Sequence, residues 1–157
     1  MKYFLQKTSP FVFLLLVSSV LMQSCKPKGA GSAVSGNAAS KAYVAPGKYD
    51  EFYNFVSGGF SGQMSVYGLP SGRLFRVIPV FSVDPEKGWG YSEETKPMLN
   101  TSHGFVPWDD LHHIAMSVTG SEHDGRWAFG NANNTPRIAR IDLKTFRTAE
   151  IIELPNS

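Results

Sequence analysis

Two adjacent histidines, His112 and His113, are the residues of this chain best suited to chemistry. They follow two carboxylates in the run Trp108-Asp109-Asp110-Leu111-His112-His113, and they are half of the chain's four histidines. Neutral imidazole is the commonest protein ligand for copper and zinc. No other motif in the sequence offers redox or hydrolytic chemistry. Two ligands are too few for a stable metal site, so the pair points to a chain that is one part of a larger protein. A hydrogen-bonded structural pair is the alternative, and on the residues alone it is the commoner case. Asp109 and Asp110 are candidate acceptors for the imidazole N–H groups; solvated turn residues are the alternative for them. His103 and His123 fall in a loop and a turn and read as surface residues. Tyr91, Lys96 and Trp108 lie in a segment that leads up to the pair, without an assignable role.

The N-terminus sets the compartment expected for such a site. Lys2 and Lys7 precede an uncharged apolar run over 11–21, followed by Leu21-Met22-Gln23-Ser24-Cys25. This is a secretory signal with a cysteine at the first mature position. Residues 1–24 are therefore read as a lipoprotein signal peptide and Cys25 as the lipidated residue. The apolar run is short for a spanning helix, which needs about 20 residues. Cys25 is the only cysteine, so neither an intramolecular disulfide nor a cysteine-based metal site can be built. Residues 25–42 are small and polar, the composition of a flexible linker, and 43–157 are read as the folded part. The expected location is the periplasm or cell envelope, held to the membrane by the lipid.

Charge excludes little. Without Lys2 and Lys7 the chain has 13 basic residues against 13 acidic ones. There is no basic stripe of the kind that binds nucleic acid.

The elements that must position the histidines read as β. Short runs rich in aromatic and β-branched residues at 51–57, 63–67, 73–80, 112–118, 126–130, 137–142 and 146–154 are separated by Gly, Pro, Asn and Asp turns, which predicts an all-β fold. No stretch has a sustained 3.6-residue apolar period. An internal repeat sharpens the prediction. Residues 52–80 lie over 126–154 at an offset of 74 without a gap: Tyr53 on Trp127, Phe55 on Phe129, Met64 on Ile138, Leu69 on Leu143, Arg73 on Arg147 and Ile78 on Ile152. Each copy has the grammar of a β-propeller blade. A blade usually takes about 40–50 residues; here 81–111 is inserted between the copies. Two unrelated hairpins with like turns are the alternative. The fold expected is a partial β-propeller of about two blades, which needs neighbours to cover its remaining faces.

These residues also carry a resemblance. Asp50-Glu51-Phe52-Tyr53, Ser57-Gly58-Gly59-Phe60-Ser61-Gly62-Gln63, Val66-Tyr67-Gly68-Leu69-Pro70-Ser71, Ile78-Pro79-Val80-Phe81, Gly88-Trp89-Gly90-Tyr91, Asp110-Leu111-His112-His113, Asp124-Gly125-Arg126-Trp127 and Arg137-Ile138-Ala139-Arg140-Ile141-Asp142 resemble the start of the propeller domain of nitrous-oxide reductase. The branch it resembles is the one secreted by a general signal, since no Arg-Arg pair precedes the apolar run. The resemblance implies a seven-bladed propeller and a four-copper sulfide cluster held by seven histidines, the first two at His112 and His113. It implies a two-copper electron-entry site in a C-terminal domain that this sequence does not contain. It also implies reduction of nitrous oxide to dinitrogen and water, a periplasmic electron donor such as a c-type cytochrome, and a head-to-tail homodimer. This chain by itself is expected to be inactive. A lipid-anchored propeller that only binds a partner, or a purely structural lipoprotein, is the competing expectation.

Overall fold

A computed structural model describes residues 37–155. The signal peptide and Cys25 lie outside the described residues. Contacts divide the chain into Met1–Ala38 and Ala39–Ser157, and every strand belongs to the second unit. The fold is all-β, as expected. Apart from one α-helical turn, α1 (Ala38–Lys41), and a 3-10 turn (Lys96–Leu99), the described elements are strands.

Strands β1 (Phe52–Ser57), β2 (Gln63–Leu69) and β3 (Leu74–Pro79) form an antiparallel three-stranded sheet. The inserted segment contributes a small hairpin, β4 (Asn100–Thr101) and β5 (Gly104–Phe105), which sequence reasoning did not foresee. Strands β6 (Leu111–Thr119), β7 (Glu122–Ala132), β8 (Arg137–Asp142) and β9 (Arg147–Glu153) form a four-stranded antiparallel meander.

The repeat is present in the backbone. In the first sheet Tyr53 pairs with Gly68, Phe55 with Val66 and Ser57 with Met64. In the second sheet Trp127 pairs with Asp142, Phe129 with Arg140 and Asn131 with Ile138, each the same pair shifted by 74. The next ladder agrees as well: Met64 pairs with Ile78 and Ile138 with Ile152. Even the bulge recurs, at Val66/Tyr67 and at Arg140/Ile141. Turn chemistry shared by unrelated hairpins does not reproduce two ladders and a bulge in step.

Burial, by contrast, does not follow the repeat. Met64, Val66 and Ile78 are fully buried, while their counterparts Ile138, Arg140 and Ile152 are half-buried or exposed. Conversely Ala128, Ala139 and Ile141 are buried and their counterparts Asn54, Ser65 and Tyr67 are not. Successive strand residues point to opposite faces, so the first sheet buries one face against the opposite face of the second. The sheets are stacked front to back. Bulky Met64, Val66, Ile78 and Phe81 meet Ala128, Ala139 and Ile141 in one core, each large apolar side chain contributing roughly 1.5–3 kcal/mol of burial. A buried hydrogen bond from Thr148 Oγ1 to the Pro79 carbonyl (2.7 Å) joins the sheets at their last strands. The sheets do not close on each other, and each keeps a second face that the other does not cover.

The inserted segment folds back on itself and is tied to the second sheet. Ser82 bridges Trp108 and Asp84 bridges Trp89. Leu99 is fully buried, and at the β4–β5 turn Ser102 donates through its N–H and hydroxyl to the Glu153 carboxylate (2.6 and 2.8 Å).

Candidate metal centre

The backbone before the histidines is clamped between the two sheets. Asp109 N–H donates to the Phe81 carbonyl (2.7 Å), Leu111 N–H to the Gly59 carbonyl (3.0 Å), and Asn133 N–H to the Asp110 carbonyl (2.9 Å). Ser57 Oγ donates to the Leu111 carbonyl (2.6 Å). The close approach depends on Gly62, at φ +64°, where a Cβ would lie 2.6 Å from the Phe81 carbonyl oxygen and 2.8 Å from that of Asp109. Beside this strap Trp108 donates from Nε1 to the Phe60 carbonyl (2.6 Å), and the two rings lie parallel.

At the start of β6 the ladder breaks. His112 pairs with Asn131, and the next pair is Ala115 with Phe129, so β6 carries one extra residue. His113 has φ +43°, a left-handed conformation that is uncommon outside glycine. A regular strand would send the two side chains to opposite faces. The bulge re-aims one of them, as bulges do, and the imidazole centroids end 5.6 Å apart at an interplanar angle of 65°.

The two carboxylates divide their tasks. Asp110 is buried, and its Oδ2 lies 3.0 Å from His112 Nε2. That contact leaves Nδ1 as the ring's remaining nitrogen, while the side chain is 39% exposed. The Asp110 Oδ1 is buried without a hydrogen-bond partner among the described residues. Asp109 reaches neither imidazole. Its Oδ1 accepts from the backbone N–H groups of Asp110 (2.7 Å) and Asn134 (2.9 Å) and from Asn134 Nδ2 (2.9 Å). Its Oδ2 accepts from Thr135 Oγ1 and from Arg137 Nη2, the latter at 3.3 Å. Both Asp109 and Arg137 side chains are fully buried. Burial pushes the Asp109 carboxyl upward, but hydrogen bonds from Thr135, Asn134 and the Asp110 N–H outweigh it and hold the group below its ordinary value. The Arg137 guanidinium also lies over the Phe81 ring, 5.1 Å from its centroid. Reading 133–136 only as a turn hid this clamp. The one signal for it was the polar run Asn133-Asn134-Thr135 entering a strand that starts with arginine.

His113 is exposed, with no hydrogen-bond partner to its ring among the described residues. His103, at the β4–β5 turn, and His123, in β7, are exposed and lie on other elements. Among the described residues no group of three or more His, Cys, Asp or Glu side chains is arranged to hold a metal ion. The pair sets two imidazoles side by side, one of them oriented by a carboxylate, which fits part of a copper site that needs further ligands to be complete.

No family model matches the chain. It is similar to the nitrous-oxide reductase of Pseudomonas fluorescens, 37% identical over 147 residues that cover 89% of this chain and 23% of the relative. Against the nitrous-oxide reductase of Stutzerimonas stutzeri it is 39% identical over 116 residues, 74% of this chain and 18% of the relative. Against that of Cupriavidus necator it is 40% identical over 131 residues, 82% of this chain and 20% of the relative. The chain is a homologue of the nitrous-oxide reductases and spans about a fifth of their length.

Proposed function

We propose that this chain is the N-terminal part of a copper-dependent nitrous-oxide reductase and that His112 and His113 ligate copper at its catalytic centre. The observation that carries the reading is the bulge at His113, which places two imidazoles side by side where a regular strand would part them. Front-to-back stacking supports the propeller. Trp127, Phe129, Ile138 and Ile152 sit on the second sheet where Tyr53, Phe55, Met64 and Ile78 sit on the first, so the uncovered face can receive a third equivalent sheet. A copper–sulfide cluster, when bound, would supply the redox chemistry that reduces nitrous oxide to dinitrogen and water. The chain's own part is to hold two nitrogen donors and, through Asp110, to fix the orientation of one. The remaining histidines, the two-copper entry site, the c-type cytochrome donor and the partner subunit of the homodimer belong to the intact enzyme. Cys25 would carry the lipid that tethers it to the cell envelope.

The test is copper content and nitrous-oxide reduction by the full-length enzyme with a reduced donor. His112→Ala and His113→Ala should each lose cluster copper and turnover. Wild-type turnover in both variants would leave the pair a structural one. Metabolic labelling with a radioactive fatty acid should mark the wild-type chain and not Cys25→Ser.

A further inference from the structure

Trp89 is 7% exposed, and its indole Nε1–H is buried without a hydrogen-bond partner among the described residues. Buried donors are rarely left so, because the group has given up water without regaining a bond. The ring lines a cavity of about 390 Å³ where the inserted segment meets β3 and β9, the end strands of the two larger sheets. Two contacts hold these strands together beside it. Phe75 and Phe146 meet edge to face with centroids 5.4 Å apart, and Thr148 Oγ1 donates to the Pro79 carbonyl. Val77, Pro79, Met98 and Phe146 give the cavity further apolar wall. Its charged lining is Arg76 on β3, Arg147 on β9, Lys87 and Glu94. Lys87 is already neutralised, with Nζ 2.6 Å from Asp84 Oδ2. The side chains of Arg76 and Arg147 make no ion pair or hydrogen bond to any described residue, Glu94 included. None of the lining residues belongs to the strap or to the histidine pair.

We propose that this cavity binds a small organic anion, a carboxylate or phosphate carried on an apolar body. Guanidinium groups pair with either head through the same fork of donors. Two of them, on strands from different sheets, supply a charge that the single Glu94 carboxylate does not cancel. The Trp89 Nε1–H adds a donor that an oxyanion satisfies. The ligand's body lies against the apolar wall, with the Trp89 and Phe146 rings as its largest surfaces. Size and lining agree with ligand pockets in general, which span about 300–1,000 Å³ and are mostly apolar with a few polar groups that fix orientation. A cation would be repelled by the two arginines, and an uncharged apolar ligand would leave the indole N–H unsatisfied. The site is separate from the histidine pair and stands independently of the copper reading.

Isothermal titration calorimetry of the full-length protein with benzoate and with phenyl phosphate tests this. At least one should bind saturably with a Kd below about 1 mM, and the tighter of the two names the head group. Arg76→Gln and Arg147→Gln, both at exposed positions, should each weaken that binding by about 10-fold or more, the share of a hydrogen bond to a charged group. Trp89→Phe keeps a ring and removes the N–H, and should weaken it by roughly 3- to 10-fold. No saturable binding of either probe overturns the proposal, the result expected if another part of the chain fills the cavity. Binding that both arginine variants leave unchanged places the ligand elsewhere and overturns it too. Benzyl alcohol binding as tightly as benzoate overturns the anionic head, and inorganic phosphate binding as tightly as phenyl phosphate overturns the apolar body. Copper content of Arg76→Gln and Arg147→Gln should remain that of wild type, which separates loss of this site from loss of the fold.

Discussion

Asp109 and Arg137 form an ion pair at 3.3 Å with both side chains fully buried. The pair joins the strap before the histidines to the first residue of β8, and Thr135 and Asn134 complete the carboxylate's shell. Removing one partner leaves an uncompensated buried charge, which costs about 3–5 kcal/mol. Arg137→Met should therefore destabilise the protein by about that amount in urea unfolding. Asp109→Leu combined with Arg137→Met should be less damaging than Arg137→Met alone. A loss under about 1 kcal/mol for Arg137→Met would show that the pair is not desolvated in solution.

Acid should reach the same clamp. The folded-state Asp109 carboxyl is held below its ordinary value of 3.8. Its contribution is therefore complete above the unfolded value and is lost as pH falls through the lower folded value. Wild type should lose stability below about pH 4 more steeply than Asp109→Asn, which has no such group to protonate. Parallel acid-unfolding curves for the two proteins would contradict this.

Asp110 should tune the metal site without being required for the fold. Its contact with His112 Nε2 fixes the ring, and the loss of such a partner typically lowers metal affinity 10–100-fold. Asp110→Asn should weaken copper retention by the full-length enzyme in a chelator competition within that range, with His112 still in place. Unchanged retention would mean that the carboxylate does not orient the ligand.

Gly62 and Gly125 separate close approach from conformation alone. Both have positive φ, but a Cβ at Gly125 meets open space, whereas one at Gly62 meets two carbonyl oxygens within 3 Å. Gly125→Ala should cost about 1–2 kcal/mol, the left-handed penalty. Gly62→Ala should cost clearly more and should disturb copper binding, because the strap it contacts leads into His112. Equal losses in thermal unfolding would mean that the strap moves aside freely.

The sequence alone determined the strands of the two larger sheets and the repeat that relates them. Alternating aromatic and β-branched runs between Gly, Pro, Asn and Asp turns define each hairpin, and a gapless repeat carries the pairing of one sheet onto the other. The double histidine was legible for the same reason: it is a local feature, and adjacent imidazoles have few uses. Only the tertiary structure decided which face of each sheet is buried, because two copies of one pattern cannot say which side meets which. It alone decided that His113 adopts a left-handed bulge, a conformation that no residue type at 112–115 announces. It also decided that Asp110 serves His112 while Asp109 is taken by Asn134, Thr135 and Arg137. Adjacent carboxylates are alike in sequence, and what separates them is that folding brings residues 25–28 positions away to Asp109.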